Sequence, residues 1–300
     1  RDLHSFPTRR SSDLILESGD FQRRRSLVLN YASIMGHRQL DMLNLELYAR
    51  QLYLLQDLGY PKTWDYRWQW DAHSLAHNTV TVDETQPPLG SSGGVLRLFA
   101  TAGGVHVVSA SHAAYQGVAL GRADAVPVGV YERTVVLVDV DEDRFYAVDL
   151  FAVDGGDQHD QSWHAFAAVP QAPSLPWSES VPGTLAGEGV ALFAGYTDRW
   201  GRERPKGDFA SFVDQVRRAT LAEPAAWTWQ TGVAEGDELR LHIVPLGGAA
   251  EVIMGKGRSP VRDPLDYLMV RRRPVDGGAS RFLTVLDPYQ GEPVDRKSVV

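Results

Sequence analysis

Residues 134–153 read TVVLVDVDEDRFYAVDLFAV, two apolar runs separated by a polar turn at residues 141–144. Both runs are rich in β-branched and aromatic side chains, and a short polar gap between such runs predicts a β-hairpin. Residues 95–99 and 105–108 flank Thr101-Ala102-Gly103-Gly104 in the same way. The sequence therefore predicts a second hairpin at that position.

The period-two pattern continues toward the C-terminus. Residues 239–244 and 250–254 straddle Gly247-Gly248, and residues 267–272 and 281–286 straddle Asp276-Gly277-Gly278. Many short strands with regularly spaced turns are typical of antiparallel sandwiches and barrels. We therefore predict an all-β fold built as a large antiparallel β-sandwich.

Two segments depart from this pattern. In residues 208–221 the apolar side chains of Phe209, Phe212, Val213 and Val216 have helical spacing, which predicts one short helix. Residues 170–182 are rich in Pro and Ser and predict a surface loop between two parts of the sandwich.

Composition excludes several classes of function. The chain has 300 residues, 43% hydrophobic residues and a formal net charge of -8, so it can bury a large core and lacks the basic excess of a nucleic-acid-binding protein. Cysteine is absent, which excludes disulfides and thiolate metal sites. No apolar run reaches the roughly 18 residues of a membrane span.

The two ends differ from the body of the chain. Residues 1–14, RDLHSFPTRRSSDL, begin without Met and resemble translated sequencing-adapter DNA, as do residues 295–300. We expect both tails to be non-native and exclude them from the fold. Residues 15–294 are then predicted to form the sandwich domain.

The chemically informative stretch is residues 36–82, GHRQLDMLNLELYARQLYLLQDLGYPKTWDYRWQWDAHSLAHNTVTV. In a strand, His37, Gln39 and Asp41 share one face because side chains alternate. Asp57 ends the next predicted strand and His77 begins a third. Sheet pairing that joins these strand ends gives a cluster suited either to Zn²⁺ or to acid–base chemistry. Polar residues with this spacing are also common at strand ends, where their side chains face solvent or form hydrogen bonds, without any metal site.

The wording of this stretch resembles the signature block of the heparinase II/III-like polysaccharide lyases. The matching elements are G-H-x-Q-x-D-x-L-N-L-E-L-Y-A from Gly36, L-x-D-x-G-Y around Asp57, and A-H-N-T-V from Ala76. Residues 146–164 and 281–293 are also similar to the sandwich domain of that family. The resemblance covers residues 15–293 and implies a supersandwich domain whose N-terminal helical toroid is missing.

The resemblance implies cleavage of uronic-acid polysaccharides by β-elimination. A base removes the weakly acidic C5 proton, and an acid protonates the departing glycosidic oxygen. In the family a toroid Tyr, aided by an Asn or a His, faces one His of the sandwich, and His37 matches that His. We expect this chain alone to be inactive. The alternative for His37 is a strand-end imidazole bonded to a carbonyl group.

The resemblance also implies a Zn²⁺ site in which Asp57 and His77 are ligands. Gln39 stands where the family has a further His, and an amide oxygen is a poorer Zn²⁺ ligand than imidazole. Two alternatives follow from the sequence: a Zn²⁺ site, or a metal-free hydrogen-bond network of Gln39, Asp57 and His77.

Trp64 and His159 are candidates for substrate binding, Trp64 by stacking on a sugar ring and His159 by lining the cleft. Their alternatives are a half-buried strand aromatic and a polar-loop His. The run Arg271-Arg272-Arg273 is predicted to be a solvated charge run, with carboxylate binding as the alternative. The implied partners are an acidic polysaccharide and the missing toroid, and the implied location is periplasmic or extracellular. The competing function is a non-catalytic carbohydrate-binding or structural sandwich module.

Overall fold

The computed structural model describes residues 13–31, 39–59, 67–87, 93–113, 115, 128–166, 170–230, 237–260, 263–291 and 293–294. Its strands are β1 (Asp13–Ser18), β2 (Arg25–Asn30), β3 (Leu45–Ala49), β4 (Leu52–Leu55), β5 (Val80–Val82), β6 (Val95–Ala102), β7 (Val105–Ser111), β8 (Val130–Asp139), β9 (Phe145–Asp154), β10 (His159–His164), β11 (Gly183–Thr184), β12 (Gly187–Glu188), β13 (Tyr196–Thr197), β14 (Glu203–Arg204), β15 (Asp214–Leu221), β16 (Ala225–Gln230), β17 (Asp237–Val244), β18 (Ala250–Gly257), β19 (Leu265–Arg272) and β20 (Ala279–Gln290). The helical elements are a π-helical turn at Arg67–Asp71 and 3-10 turns at Ser74–Ala76, Phe209–Phe212 and Val275–Gly277. The predicted all-β class is confirmed.

The strands form two seven-stranded antiparallel sheets and two smaller ones. Sheet A has the order β1-β2-β3-β4, sheet B β12-β11-β15-β18-β19-β10-β5, and sheet C β16-β17-β20-β9-β8-β7-β6, while β13 and β14 form a separate pair. β1 begins at Asp13, so two residues assigned to the N-terminal tail, Asp13 and Leu14, pair with Asn30 and Leu29 of β2.

The central strands of sheet B, β10, β18 and β19, are buried on both faces. One face shares the main hydrophobic core with sheets A and C, where Trp163 of β10 and Trp227 of β16 are among the fully buried side chains. The other face, with Ile253 and Met269, packs under Trp70 and Phe212 from the short helical turns. A strand covered on both faces loses alternation, and every residue of β10 is buried.

The turns fall into two kinds that look alike in sequence. β6–β7 and β8–β9 are paired hairpins, as predicted, and Gly103 and Gly104 supply the positive φ angles of the first turn. The turns at Gly247-Gly248 and at residues 276–278 instead carry the chain between sheets, because β17 and β20 lie in sheet C while β18 and β19 lie in sheet B.

The helix predicted for residues 208–221 is much shorter than expected. It is a 3-10 turn limited to Phe209–Phe212, capped by the Asp208 side chain, and residues 214–221 form β15. The register of β15 shifts between Asp214 and Arg217, where Gln215 has φ 51°. This bulge adds one residue to β15. Val216 therefore faces the same core as Val213, three residues earlier, which is the spacing expected of a helix.

The predicted loop at residues 170–182 contains no strand beyond a bridge of Gln171 to Thr228. Within the described residues, no helix has the length and apolar run that a membrane crossing requires.

Candidate functional site

Three side chains from separate segments meet where sheets A and B adjoin. Asp41, Asp57 and His77 each place one potential ligand atom within 4.8 Å of the others. Asp41 lies in the turn before β3, Asp57 follows β4, and His77 caps the 3-10 turn before β5. Asp57 and His77 lie together, as expected, but their strands are not paired, because β4 belongs to sheet A and β5 to sheet B.

Local hydrogen bonds hold each member in place. Asn30 Nδ2 donates to Asp41 Oδ2 (2.7 Å), and the Gly59 amide donates to Asp57 Oδ1 (2.7 Å). The second bond closes an Asx-type turn, and Gly59 takes the positive φ of 70° that this turn requires. One oxygen of Asp57 is therefore occupied by the backbone, and the other, Oδ2, faces His77.

The His77 imidazole is buried between two acceptors. Its Nε2 lies 2.9 Å from the carbonyl oxygen of Asp71, and its Nδ1 lies 3.1 Å from Asp57 Oδ2. A carbonyl oxygen can only accept, so Nε2 carries a proton. A neutral imidazole then presents a lone pair at Nδ1 toward a carboxylate, which requires either a second proton or a cation.

Charges in the cluster depend strongly on one another. Burial would raise the pKa of Asp57, but the hydrogen bond and charge of His77 outweigh it and hold that pKa below its usual range. Burial would lower the pKa of His77, and the Asp57 hydrogen bond and charge raise it instead. Burial raises the pKa of Asp41. With both carboxylates ionised the cluster is anionic even when His77 is protonated.

The donor set suits a divalent cation. Two carboxylates and an imidazole are common ligands of Zn²⁺, and Nδ1 of His77 is available because its other nitrogen is tied to a backbone carbonyl. Asp41 is the third acidic or imidazole side chain of this cluster, and the Gln39 side chain donates from Nε2 to the carbonyl oxygen of Gly59 (3.1 Å). The residues present thus fit a cation through a ligand set that differs from the sequence expectation.

Asn78 and Thr79 connect the segments around the cluster. Asn78 Oδ1 accepts a hydrogen bond from the backbone N–H of His164 (2.8 Å), and the backbone N–H of Asn78 donates to Asn44 Oδ1 (2.9 Å). Thr79 Oγ1 donates to the Met42 carbonyl (2.6 Å). The H-N-T triplet therefore combines one cluster member with two residues that hold neighbouring chain segments, which the sequence pattern did not reveal.

Arg133 of β8 anchors the same region from sheet C. It is fully buried and pairs with Asp149 through two bonds of 2.6 and 3.0 Å. Its NH1 donates to the carbonyl oxygens of Leu43 and Asn78, both at 2.6 Å. One guanidinium thus joins the sandwich core to the segments that carry Asp41 and His77.

The other sequence candidates have different outcomes. His37 and Trp64 lie outside the described residues. His159 is fully buried, with Nδ1 2.7 Å from Ser280 Oγ and Nε2 2.7 Å from the Gly155 carbonyl oxygen. Both ring nitrogens therefore have protein partners, so we leave His159 out of the proposed site. Arg271, predicted to be solvated, is buried against Asp160.

The raised pKa of His77 predicts a specific pH dependence in protein treated with a chelator. The protonated imidazole stabilises the fold fully below the unfolded-state pKa of about 6.5. That contribution is lost as the pH rises through the higher folded-state pKa. Urea unfolding between about pH 6 and pH 9 should therefore show a fall in unfolding free energy that His77→Gln lacks.

His242→Gln provides the matched control, because His242 is a half-buried imidazole on β17 of sheet C, away from the cluster. This variant should keep the wild-type pH dependence. Parallel curves for the wild type and His77→Gln would contradict the assignment of the proton to His77.

Comparison with known proteins gives both a family match and structural matches. The sequence model of the family described as "Heparinase II/III-like, C-terminal" matches residues 25–240. No curated protein matches the sequence. The fold resembles the crystal structure of the heparan sulfate lyase HepC from Pedobacter heparinus, with TM-score 0.57, 13% identity, and coverage of 93% of this chain and 35% of that one.

Two further structures show the same likeness. A crystal structure described as heparinase III has TM-score 0.58 and 14% identity over 94% of this chain, and the heparinase III BT4657 gene product has TM-score 0.55 and 15% identity over 96%. Both matches cover 36% of the solved chain, so the present chain spans about a third of the length of these structures.

Proposed function

This chain belongs to the heparinase II/III-like C-terminal family, and we propose that it is the sandwich part of a polysaccharide lyase that cleaves uronic-acid-containing chains by β-elimination. The observation that carries the proposal is the family match over residues 25–240, which includes the Asp41, Asp57 and His77 cluster. The solved structures that share the fold include proteins named as heparan sulfate lyase and heparinase III.

The reaction requires groups that this chain supplies only in part. A base takes the C5 proton, and an acid protonates the leaving oxygen as the bond between carbon 4 and that oxygen breaks. We assign His37 to the sandwich side of this site. The remaining groups, above all a Tyr, would come from an N-terminal helical toroid that faces the sandwich.

The Asp41, Asp57 and His77 cluster has a supporting role in this proposal. A cation bound there, with Zn²⁺ the first candidate, would neutralise the buried Asp41 and half-buried Asp57 carboxylates and tie the segments before β3, after β4 and before β5 together. Because Asp41 lies four residues after His37 in the sequence, this cluster would hold the chain close to the proposed catalytic imidazole. Asp41, Asp57 and His77 are therefore positioning residues.

Metal affinity should depend on the cluster and not on Gln39. We expect Asp57→Asn or Asp41→Asn to weaken Zn²⁺ binding by more than the roughly 10- to 100-fold that loss of an outer-shell partner costs. Gln39→Ala should weaken Zn²⁺ binding less than either of these variants, because its amide bonds to the Gly59 carbonyl and not to a member of the cluster. Titration of chelator-stripped protein with Zn²⁺ against a competing chelator measures both.

If Gln39→Ala and Asp41→Asn weaken Zn²⁺ binding equally, Asp41 is not the third donor. Absence of Zn²⁺ binding in the wild type would favour the metal-free network.

The lyase proposal is tested by an assay for unsaturated uronate products, which absorb in the ultraviolet. This chain alone should give no turnover on heparan sulfate, alginate or other uronates, whereas the complete gene product with its N-terminal region should turn over one of them. Turnover by this chain alone would contradict the shared active site. Binding without cleavage by the complete protein would support the carbohydrate-binding alternative.

We propose that the complete protein acts in the periplasm or outside the cell, since an acidic polysaccharide is an external substrate. Fractionation of cells that express the complete gene would test this location.

A further inference from the structure

A cavity lies at the end of the sandwich where two loops cross between sheets B and C. Residues 245–249 join β17 to β18, and residues 273–278 join β19 to β20. Together with the adjoining strand ends, these loops enclose about 620 Å³. This volume is within the range of small-molecule sites, roughly 300–1,000 Å³.

The lining of this cavity is strongly basic for an acidic protein. Four arginines, Arg271, Arg272, Arg273 and Arg281, line it together with one acid, Glu251. The whole chain carries a formal net charge of -8. The basic groups are therefore concentrated here against the average of the molecule.

Two of the four arginines are neutralised by carboxylates. Arg271 makes bonds of 2.6 and 2.9 Å to the two carboxylate oxygens of buried Asp160. Arg273 NH1 lies 3.1 Å from Glu251 Oε2, and Glu251 is shared with Arg218. These pairs build the wall of the cavity.

The other two arginines bond to backbone carbonyls in the described part of the chain. Arg272 directs NH1 and NH2 to the Gly248 carbonyl oxygen at 3.3 Å each, and its guanidinium carbon lies 6.0 Å from the centre of the Phe282 ring. Arg281 NH1 donates to the carbonyl oxygens of Ser280 (2.9 Å) and Val153 (3.4 Å). None of these contacts is with a carboxylate, so none of them balances the positive charge of either guanidinium group.

Arg272 is partly desolvated. Its Nε is buried and has no hydrogen-bond partner among the described residues. Burial lowers the pKa of Arg272, and no neighbouring anion offsets this effect. A partly buried cation with a free donor is costly unless an anion completes the site.

This cavity is distinct from the Asp41, Asp57 and His77 cluster. β10 pairs with β19 so that His159 lies opposite Arg272 and His164 opposite Tyr267. His164 Nε2 bonds to the carbonyl oxygen of Gln56, next to Asp57. The two sites therefore lie toward opposite ends of β10, roughly 16 Å apart at 3.3 Å per residue.

We propose that this cavity is a second saccharide-binding site, in which Arg272 and Arg281 bind oxyanions, carboxylate or sulfate, of an anionic oligosaccharide. Guanidinium groups bind such planar or tetrahedral anions through paired N–H donors. The choice of a saccharide rests on the proposed function, while the oxyanion chemistry rests on the cavity alone.

Calorimetric titration of this chain with three tetrasaccharides tests the site: a sulfated heparin fragment, a sulfate-free uronate and a neutral glucan. We expect the sulfated fragment to bind, whether or not the sulfate-free uronate also binds, and the glucan not to bind. The double variant Arg272→Gln/Arg281→Gln should bind at least about tenfold more weakly, since two charge-assisted contacts are lost. Binding of neither anionic ligand would overturn the proposal.

Arg97→Gln is the matched control, because Arg97 is an exposed arginine on the edge strand β6 and its loss changes net charge by the same unit per site. Equal affinity in this control and in the double variant would also overturn the proposal. If the double variant melts early, Arg281→Gln alone decides, with the same two outcomes. His37→Ala should keep the binding, so loss of lyase activity and loss of this site are separately observed.

Discussion

Replacing Arg133 with methionine is expected to destabilise the protein by about 3–5 kcal/mol, because the change leaves the Asp149 carboxylate buried without its partner. Asp149 is fully buried, and within the described part of the chain it keeps the Gln161 side-chain amide, at 3.1 Å, as a side-chain donor. The carbonyl oxygens of Leu43 and Asn78 also lose their shared donor. Urea unfolding at neutral pH measures the loss as a change in midpoint.

Two variants define the cause. Arg144→Met removes another hairpin arginine whose ion pair, with Asp141, has the same 2.6 Å separation but is exposed, so little change is expected. Arg133→Met/Asp149→Leu should be less destabilised than Arg133→Met alone, since no charge is left buried. A single variant as stable as Arg144→Met would contradict the anchoring role of Arg133.

Replacing His37 with alanine in the complete protein is expected to lower kcat by about 10²- to 10⁴-fold, the usual contribution of a general acid or base. The expectation rests on the family match and on the role proposed above for His37. The measurement is the initial rate of unsaturated product formation, with the thermal midpoint checked in parallel.

Added imidazole should restore part of the activity of His37→Ala if the missing group transfers a proton. Asp57→Asn should instead lower the thermal midpoint and Zn²⁺ affinity, because Asp57 acts through the position of its segment. His242→Ala serves as the control for loss of an imidazole elsewhere. Unchanged kcat in His37→Ala would support a structural strand-end role and the non-catalytic alternative.

The sequence by itself determined the strand content and the meeting of two site residues. Alternating apolar runs around Gly103-Gly104 and around residues 141–144 became paired hairpins, because local pattern and local turn act on neighbouring residues. Asp57 was expected at the end of one predicted strand and His77 at the start of another, and their side chains lie 3.1 Å apart. The spacing of apolar residues and the residue types of a turn are local properties, so they can be read directly from the sequence.

Tertiary structure alone decided which strands share a sheet and which polar groups are buried. The Gly247-Gly248 turn looks like a hairpin but joins two sheets, and the bulge at Gln215 gives a strand the spacing of a helix. Asp41 lies in the cluster with Asp57 and His77, for which the sequence had named Gln39, and Arg271 is buried because Asp160 of a strand distant in sequence lies opposite it. Burial of a charge depends on partners far along the chain, and only the folded sheets bring those partners together.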